Sequence, residues 1–87
     1  TIGILGISFK PNCPDIRNSK VVDVIEELKR CNCNILVSDP WVDKKEVKEK
    51  LGIKLVDESK MSEVDFCVIA VKHKSFENFP CANMILF

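Results

Sequence analysis

The sequence has 87 residues, enough for one domain and one modest core, and its 46% hydrophobic and 30% charged content is ordinary for a soluble globular protein. Thirteen basic residues balance thirteen acidic ones, which removes the electrostatic footprint of a nucleic-acid or membrane-surface binder. No apolar run is long enough to span a bilayer and no signal-peptide pattern is present.

The chain opens on Ile2-Gly3-Ile4-Leu5-Gly6-Ile7, a short continuous apolar run suited to a strand buried on both faces. A polar loop follows, Lys10-Pro11-Asn12-Cys13-Pro14-Asp15, whose prolines exclude a helix or central strand. A helix is then expected from an Asn18 or Ser19 cap. Val21, Val24, Ile25 and Leu28 form its apolar face at i, i+3, i+4 and i+7. Asn34–Ser38 reads as a second strand ending at Asp39-Pro40. Asp43 is placed to cap a second helix with Glu46 completing a capping box, Val47 and Leu51 on its apolar side and Gly52 closing it. Interleaved lysines and glutamates over 44–50 read as a solvated helix face. Lys54-Leu55-Val56 suits a short edge strand, Ser59–Glu63 a helical turn and Val64–Val71 the longest strand. A turn near Phe76 and a last strand over Asn83–Phe87 complete the chain.

This alternation predicts an α/β fold: a Rossmann-like three-layer sandwich on a five-stranded parallel sheet of order 3-2-1-4-5, with a flavodoxin-like order as the alternative. The chain begins and ends in apolar strand sequence, so residues 1–87 are expected to be one domain cut from a longer protein. Cys13, Cys31, Cys33, Cys67 and Cys81 are irregularly spaced and the one histidine, His73, is distant from most of them. The expectation is therefore reduced thiols, no metal site and a cytoplasmic protein.

Ligands of open α/β sheets bind beyond the carboxyl ends of the strands, which points to the loop from Ser8 to Asn18. A glycine-rich dinucleotide fingerprint is missing there, since Gly3-x-x-Gly6 lies within the strand. Lys10 and Arg17 next to a helix start suit an anion site. The alternative leaves Lys10 in solvent and pairs Arg17 with Asp15 or a sheet-end carbonyl, and spacing slightly favours it. Phe9 suits either core packing or stacking on a ligand ring. Asp39 stands where a Rossmann acid would meet ribose hydroxyls, but reads more simply as an Asp-Pro turn initiator. Trp41 reads as packing, and His73 as a capping or packing residue rather than a catalyst.

The string Gly6-Ile7-Ser8-Phe9-Lys10-Pro11-Asn12-Cys13-Pro14-Asp15-Ile16-Arg17-Asn18-Ser19 resembles the opening of the C-terminal domain of the UDP-glucose/GDP-mannose dehydrogenase family. Asp39-Pro40 and Val68-Ile69-Ala70-Val71 extend the likeness over essentially the whole chain. The resemblance implies an enzyme with an N-terminal NAD-binding domain, a central helical dimerisation segment and this UDP-binding domain. Such an enzyme oxidises the sugar C6 hydroxymethyl to a carboxylate in two steps, reduces two NAD, and passes through a thiohemiacetal on a cysteine.

Carried onto this chain, the likeness makes Phe9 and Lys10 contacts of the nucleotide sugar, and Arg17 a residue reaching the NAD across the domain interface. It implies no catalytic residue here, because none of the five cysteines matches the catalytic motif. A further substrate arginine is expected just beyond Phe87. The implied partners are the sugar nucleotide, the enzyme's own N-terminal domain and a second copy in a homodimer or larger oligomer, without nucleic acid or membrane. The stretches Cys13–Val21 and Asp39–Asp43 look closest to dehydrogenases of UDP-N-acetylhexosamines in surface-polysaccharide synthesis, although Pro11 stands where those relatives often carry an acid. The isolated domain is expected to be inactive. The competing class is a stand-alone Rossmann-like binding module; a receiver-like signalling domain lacks the acid cluster it needs.

Overall fold

The computed structural model describes residues 1–17, 19–76 and 84–86. Strand β1 (Ile2–Leu5) leads through a long loop to helix α1 (Val21–Arg30), strand β2 (Ile35–Ser38) and helix α2 (Lys44–Leu51). A 3-10 segment over Glu58–Glu63, strand β3 (Phe66–Ile69), a 3-10 turn over Lys74–Phe76 and strand β4 (Met84–Leu86) follow. The strands are parallel, in the order β2-β1-β3-β4. β1 is therefore paired on both sides, which explains why its sequence is apolar without alternation.

Each face of the sheet has its own core. Ile4 of β1 and Val37 of β2 join Val21 and Ile25 of α1 and Val47 of α2 on one face. Leu5, Cys67 and Ile69 join Met61 and Phe76 of the two 3-10 segments on the other. The pleat of β1 sends successive side chains to opposite layers, giving the three-layer, Rossmann-like α/β arrangement.

Four strands form among the described residues, rather than five. Residues 54–56 contribute a single parallel bridge, Leu55 to Val37, and the Val56 N–H donates to the Val37 carbonyl at 2.8 Å. Asp57 then caps the 3-10 segment by accepting from the Ser59 N–H at 3.0 Å, which turns the chain away before more pairs form. β3 is also shorter than its apolar sequence suggests. Val64 and Val71 lie outside it and pack in the two cores instead.

The helices obey local rules unequally. Asp43 caps α2 as expected, accepting from Lys45 N–H at 2.8 Å and Glu46 N–H at 3.1 Å, and Gly52 closes it at φ 67°. At α1 the N-cap position is Lys20, in helical conformation and without a side-chain cap. Ser19 Oγ accepts from the Val21 N–H at 3.3 Å one position too early to serve as that cap, and Asn18 lies outside the described residues. The buried stripe of α1 is Val21 and Ile25, with Val22 and Leu28 packed against the same cluster.

The two glycines of β1 and its exit are there for close approach. A Cβ on Gly3 would collide with Met61 Sδ, so the glycine lets the Glu58–Glu63 segment lie directly on the sheet. Gly6 adopts φ 96°, and a Cβ there would stand 2.6 Å from Val71 Cβ and 2.9 Å from Val71 N. Gly3-x-x-Gly6 is thus a packing device rather than a phosphate cradle.

Candidate functional site

Three loops meet at the carboxyl end of the sheet: residues 8–17 after β1, Asp39 to Trp41 after β2, and residues 70–73 after β3. Their junction is a buried polar network centred on Asp39. Its Oδ2 accepts from the Ile7 N–H at 2.7 Å, the Ser8 N–H at 3.1 Å and His73 Nε2 at 2.9 Å. Oδ1 accepts from the Trp41 N–H at 2.8 Å, the expected Asp-Pro turn. A carboxylate is needed because every partner is a donor.

His73 is equally enclosed. Its Nδ1 accepts the Asn12 N–H at 2.8 Å, which assigns the ring proton to Nε2. That proton is shared between Asp39 Oδ2 and Ser8 Oγ, the latter 3.2 Å away, while the Ser8 hydroxyl donates to the Lys10 carbonyl at 2.9 Å. The ring lies between Trp41 (centroids 6.0 Å apart, stacked) and Phe76 (5.4 Å, tilted).

Ser, His and Asp in contact invite comparison with a hydrolytic triad, and the geometry rejects it. In a triad the acid orients one ring nitrogen and the hydroxyl meets the other. Here both meet Nε2, Nδ1 is held by a backbone amide, and Ser8 and His73 are each 1% exposed. The network builds the strand ends rather than performing chemistry.

The sequence-predicted contact residues lie on the loop this network supports, and Trp41 of the neighbouring loop is 44% exposed. Phe9 is 55% exposed and Lys10 is exposed beside it. Arg17 follows the pairing alternative read from the sequence: Nε and Nη2 donate to the two Asp15 carboxylate oxygens at 3.0 and 2.9 Å. The Arg17 N–H also donates to Asp15 at 2.8 Å, closing a local turn. The side-chain hydrogen bonds from Arg17 hold the Asp15 carboxyl down at about 2 and raise the guanidinium further. Arg17 stays 83% exposed, so its remaining N–H groups are open to a second anion.

An open cleft lies to one side, lined by Ser38, Asp39, Pro40, Lys44, Val56, Asp57 and Glu58. Partial burial, then the neighbouring Asp57 and Asp39 charges, raise the Glu58 carboxyl. Phe9, Lys10 and Arg17 do not line it. Among the described residues no cluster of His, Cys, Asp or Glu has the arrangement of a metal site, and no helix is long and apolar enough to cross a membrane. Cys13, Cys31 and Cys33 are free thiols and Cys67 is buried; Cys81 lies outside the described residues.

Residues 3–85 match the sequence profile of the UDP-glucose/GDP-mannose dehydrogenase family, UDP binding domain. The chain belongs to this family. It is 47% identical over 74 residues to the UDP-N-acetyl-D-glucosamine 6-dehydrogenase of Salmonella typhi, covering 85% of this chain and 17% of that enzyme. It is 45% identical over 76 residues to Protein CapL of Staphylococcus aureus, covering 87% and 18%. The structure of a UDP-glucose dehydrogenase from the hyperthermophilic archaeon Pyrobaculum islandicum superposes with a TM-score of 0.82 at 26% identity, over 98% of this chain and 20% of that one. This UDP-binding domain therefore spans about a fifth of the length of the relatives it matches.

The sequence reading treated Asp39 and His73 separately and missed that the fold joins them. The signal was available in the strand order: β2 and β3 flank β1, so residues just past their ends converge on the β1 exit.

Proposed function

We propose that this domain binds the nucleotide sugar in a full-length, NAD-dependent UDP-sugar 6-dehydrogenase. The proposed substrate is a UDP-N-acetylhexosamine, UDP-N-acetylglucosamine or UDP-N-acetylgalactosamine, converted to its uronic acid for surface-polysaccharide synthesis in the cytoplasm. The identity of 47% to a UDP-N-acetyl-D-glucosamine 6-dehydrogenase carries this reading, and the exposed Phe9-Lys10 pair on a loop anchored in the core supports it. Lys10 supplies a charge-assisted contact to phosphate and Phe9 an apolar face beside it.

The residues here do not fit a self-contained NAD site. The β1 exit lacks the glycine loop, Gly6 is pressed against Val71, and the Asp39 carboxylate is saturated by four donors from this chain. The cofactor belongs to the enzyme's N-terminal domain in this reading, as does the catalytic cysteine, and the enzyme works as a homodimer or larger oligomer. The role of Arg17 is to offer its free N–H groups to an anionic part of NAD across the domain interface while Asp15 holds it in place.

Oxidation of a primary alcohol to a carboxylate removes two hydrides, so the stoichiometry is diagnostic. The full-length protein should form two NADH for each UDP-N-acetylglucosamine or UDP-N-acetylgalactosamine consumed, with slower turnover of UDP-glucose. A folded full-length protein that turns over no nucleotide sugar would leave a stand-alone binding module as the better reading.

A further inference from the structure

We infer that His73 is a positioning residue for nucleotide-sugar binding, acting through the loop that carries Phe9 and Lys10; the inference rests on the binding role proposed above for that pair. The anchors on either side of the pair lead to one imidazole and its carboxylate. Before the pair, the Ser8 N–H is held by Asp39 and the Ser8 hydroxyl touches His73 Nε2. After the pair, the Asn12 N–H ends on His73 Nδ1 at 2.8 Å. The ring therefore spans the base of the projection, accepting on one side and donating on the other.

Two further contacts close the same base. Asn12, at φ 55°, uses its Oδ1 to accept the Lys74 N–H at 2.9 Å, fastening the loop to the segment that carries His73. The Ser8 hydroxyl donates to the Lys10 carbonyl at 2.9 Å, which fixes the backbone under the lysine itself. Imidazole suits this place because its two nitrogens point apart and can hold opposite hydrogen-bond roles at once. The ring is itself fixed between Trp41 and Phe76. Phe9 and Lys10 are thereby exposed side chains on a backbone that is tied at Ser8, Lys10 and Asn12. A ligand meeting a preset loop does not have to order it on binding.

The test uses the full-length dehydrogenase and two variants that each retain one half of the ring's hydrogen bonding. His73→Gln places an amide nitrogen near Nε2 and keeps a donor for Asp39, but removes the acceptor for the Asn12 N–H. His73→Asn places an oxygen near Nδ1 and keeps that acceptor. His73→Gln should raise the KM for UDP-N-acetylglucosamine about fivefold, the scale of one lost, partly buried hydrogen bond, and leave kcat within about twofold. His73→Asn loses the Nε2 donation, but Asp39 still holds Ser8 through its backbone N–H, so KM should rise by no more than about twofold.

A merely structural role would lower activity per milligram in both variants with KM unchanged, and that result overturns the inference. Equal KM increases in both would assign the effect to ring packing and overturn it as well. Should His73→Gln not accumulate as folded protein, Asn12→Gly tests the lock from its exposed side. It retains the backbone N–H and the positive φ, removes the contact to Lys74, and should raise KM about twofold to threefold; an unchanged KM contradicts the inference. Wild-type enzyme without turnover of any UDP-sugar would defeat the proposed function itself before a variant is compared, so the two failures are distinguishable.

Discussion

Asp39 and Asp15 stand in neighbouring loops at one end of the sheet, and each binds a nitrogen-bearing side chain through its carboxylate. The Asp39–His73 contact is fully enclosed, with both side chains at 0% exposure, whereas the Asp15–Arg17 pair leaves the arginine 83% exposed. The enclosed carboxylate has four donors from three loops and nothing left to offer a ligand. The exposed pair is local, two residues apart, and leaves guanidinium donors facing outward. The same chemistry thus serves construction in one place and leaves donors open to solvent in the other, and burial decides which.

The strongest way to break that contrast is to remove the enclosed carboxylate. Asp39→Ala strands the Ile7, Ser8 and Trp41 amides without an acceptor and leaves the His73 proton only its longer contact to Ser8 Oγ. It should cost about 3 to 5 kcal/mol in urea unfolding, followed by the fluorescence of the chain's one tryptophan, Trp41. A loss below about 1 kcal/mol would mean that the three loops are held together by something other than this network.

Gly6→Ala tests whether the strand end beneath the network is as tightly set. It combines a left-handed φ with contacts under 3 Å to Val71 and should cost about 3 kcal/mol in the same assay.

The exposed pair should behave differently, through pH more than through stability at neutrality. The Asp15 carboxyl lies near 2 against an ordinary 3.8, held there by hydrogen bonds from Arg17. A depressed acid contributes stability that is present above 3.8 and is lost as pH falls towards 2. Arg17→Ala should therefore differ slightly from wild type at pH 5, and the difference should vanish between pH 4 and pH 2. A stability gap that persists at pH 2 would show that Arg17 acts by packing rather than through the carboxylate.

The smallest expected effect has the opposite sign. Burial raises the Glu58 carboxyl above 4.5, so its ionised form is disfavoured in the folded chain as pH rises past that value. Glu58→Gln should gain no more than about 0.5 kcal/mol at pH 7, and nothing at pH 4.

The sequence carried the architecture where a rule acts locally. The apolar run of β1, the Asp43 cap and the Gly52 stop of α2 are each decided by the residues themselves. The α1 start and the strand over 54–56 were misjudged because competition decided them. Lys20 takes the N-cap position in helical conformation and leaves Ser19 one position too early to cap α1, and Asp57 turns the chain away before Leu55 and its neighbours extend the ladder. The exposed loop was legible as a polar, proline-bearing surface segment between β1 and α1. The buried network was not, since Ser8, Asp39 and His73 are separated by more than thirty residues at each step and only the sheet order unites them.

The central claim is that the loop after β1 holds the nucleotide sugar, and Lys10 tests it most directly. In the full-length protein, Lys10→Ala should lower kcat/KM for UDP-N-acetylglucosamine at least tenfold, the loss of a charge-assisted phosphate contact of ~1.5–3 kcal/mol, while leaving thermal unfolding unchanged because the side chain is exposed. A variant with wild-type kinetics would remove Lys10 from the site and with it the assignment of this loop to the substrate.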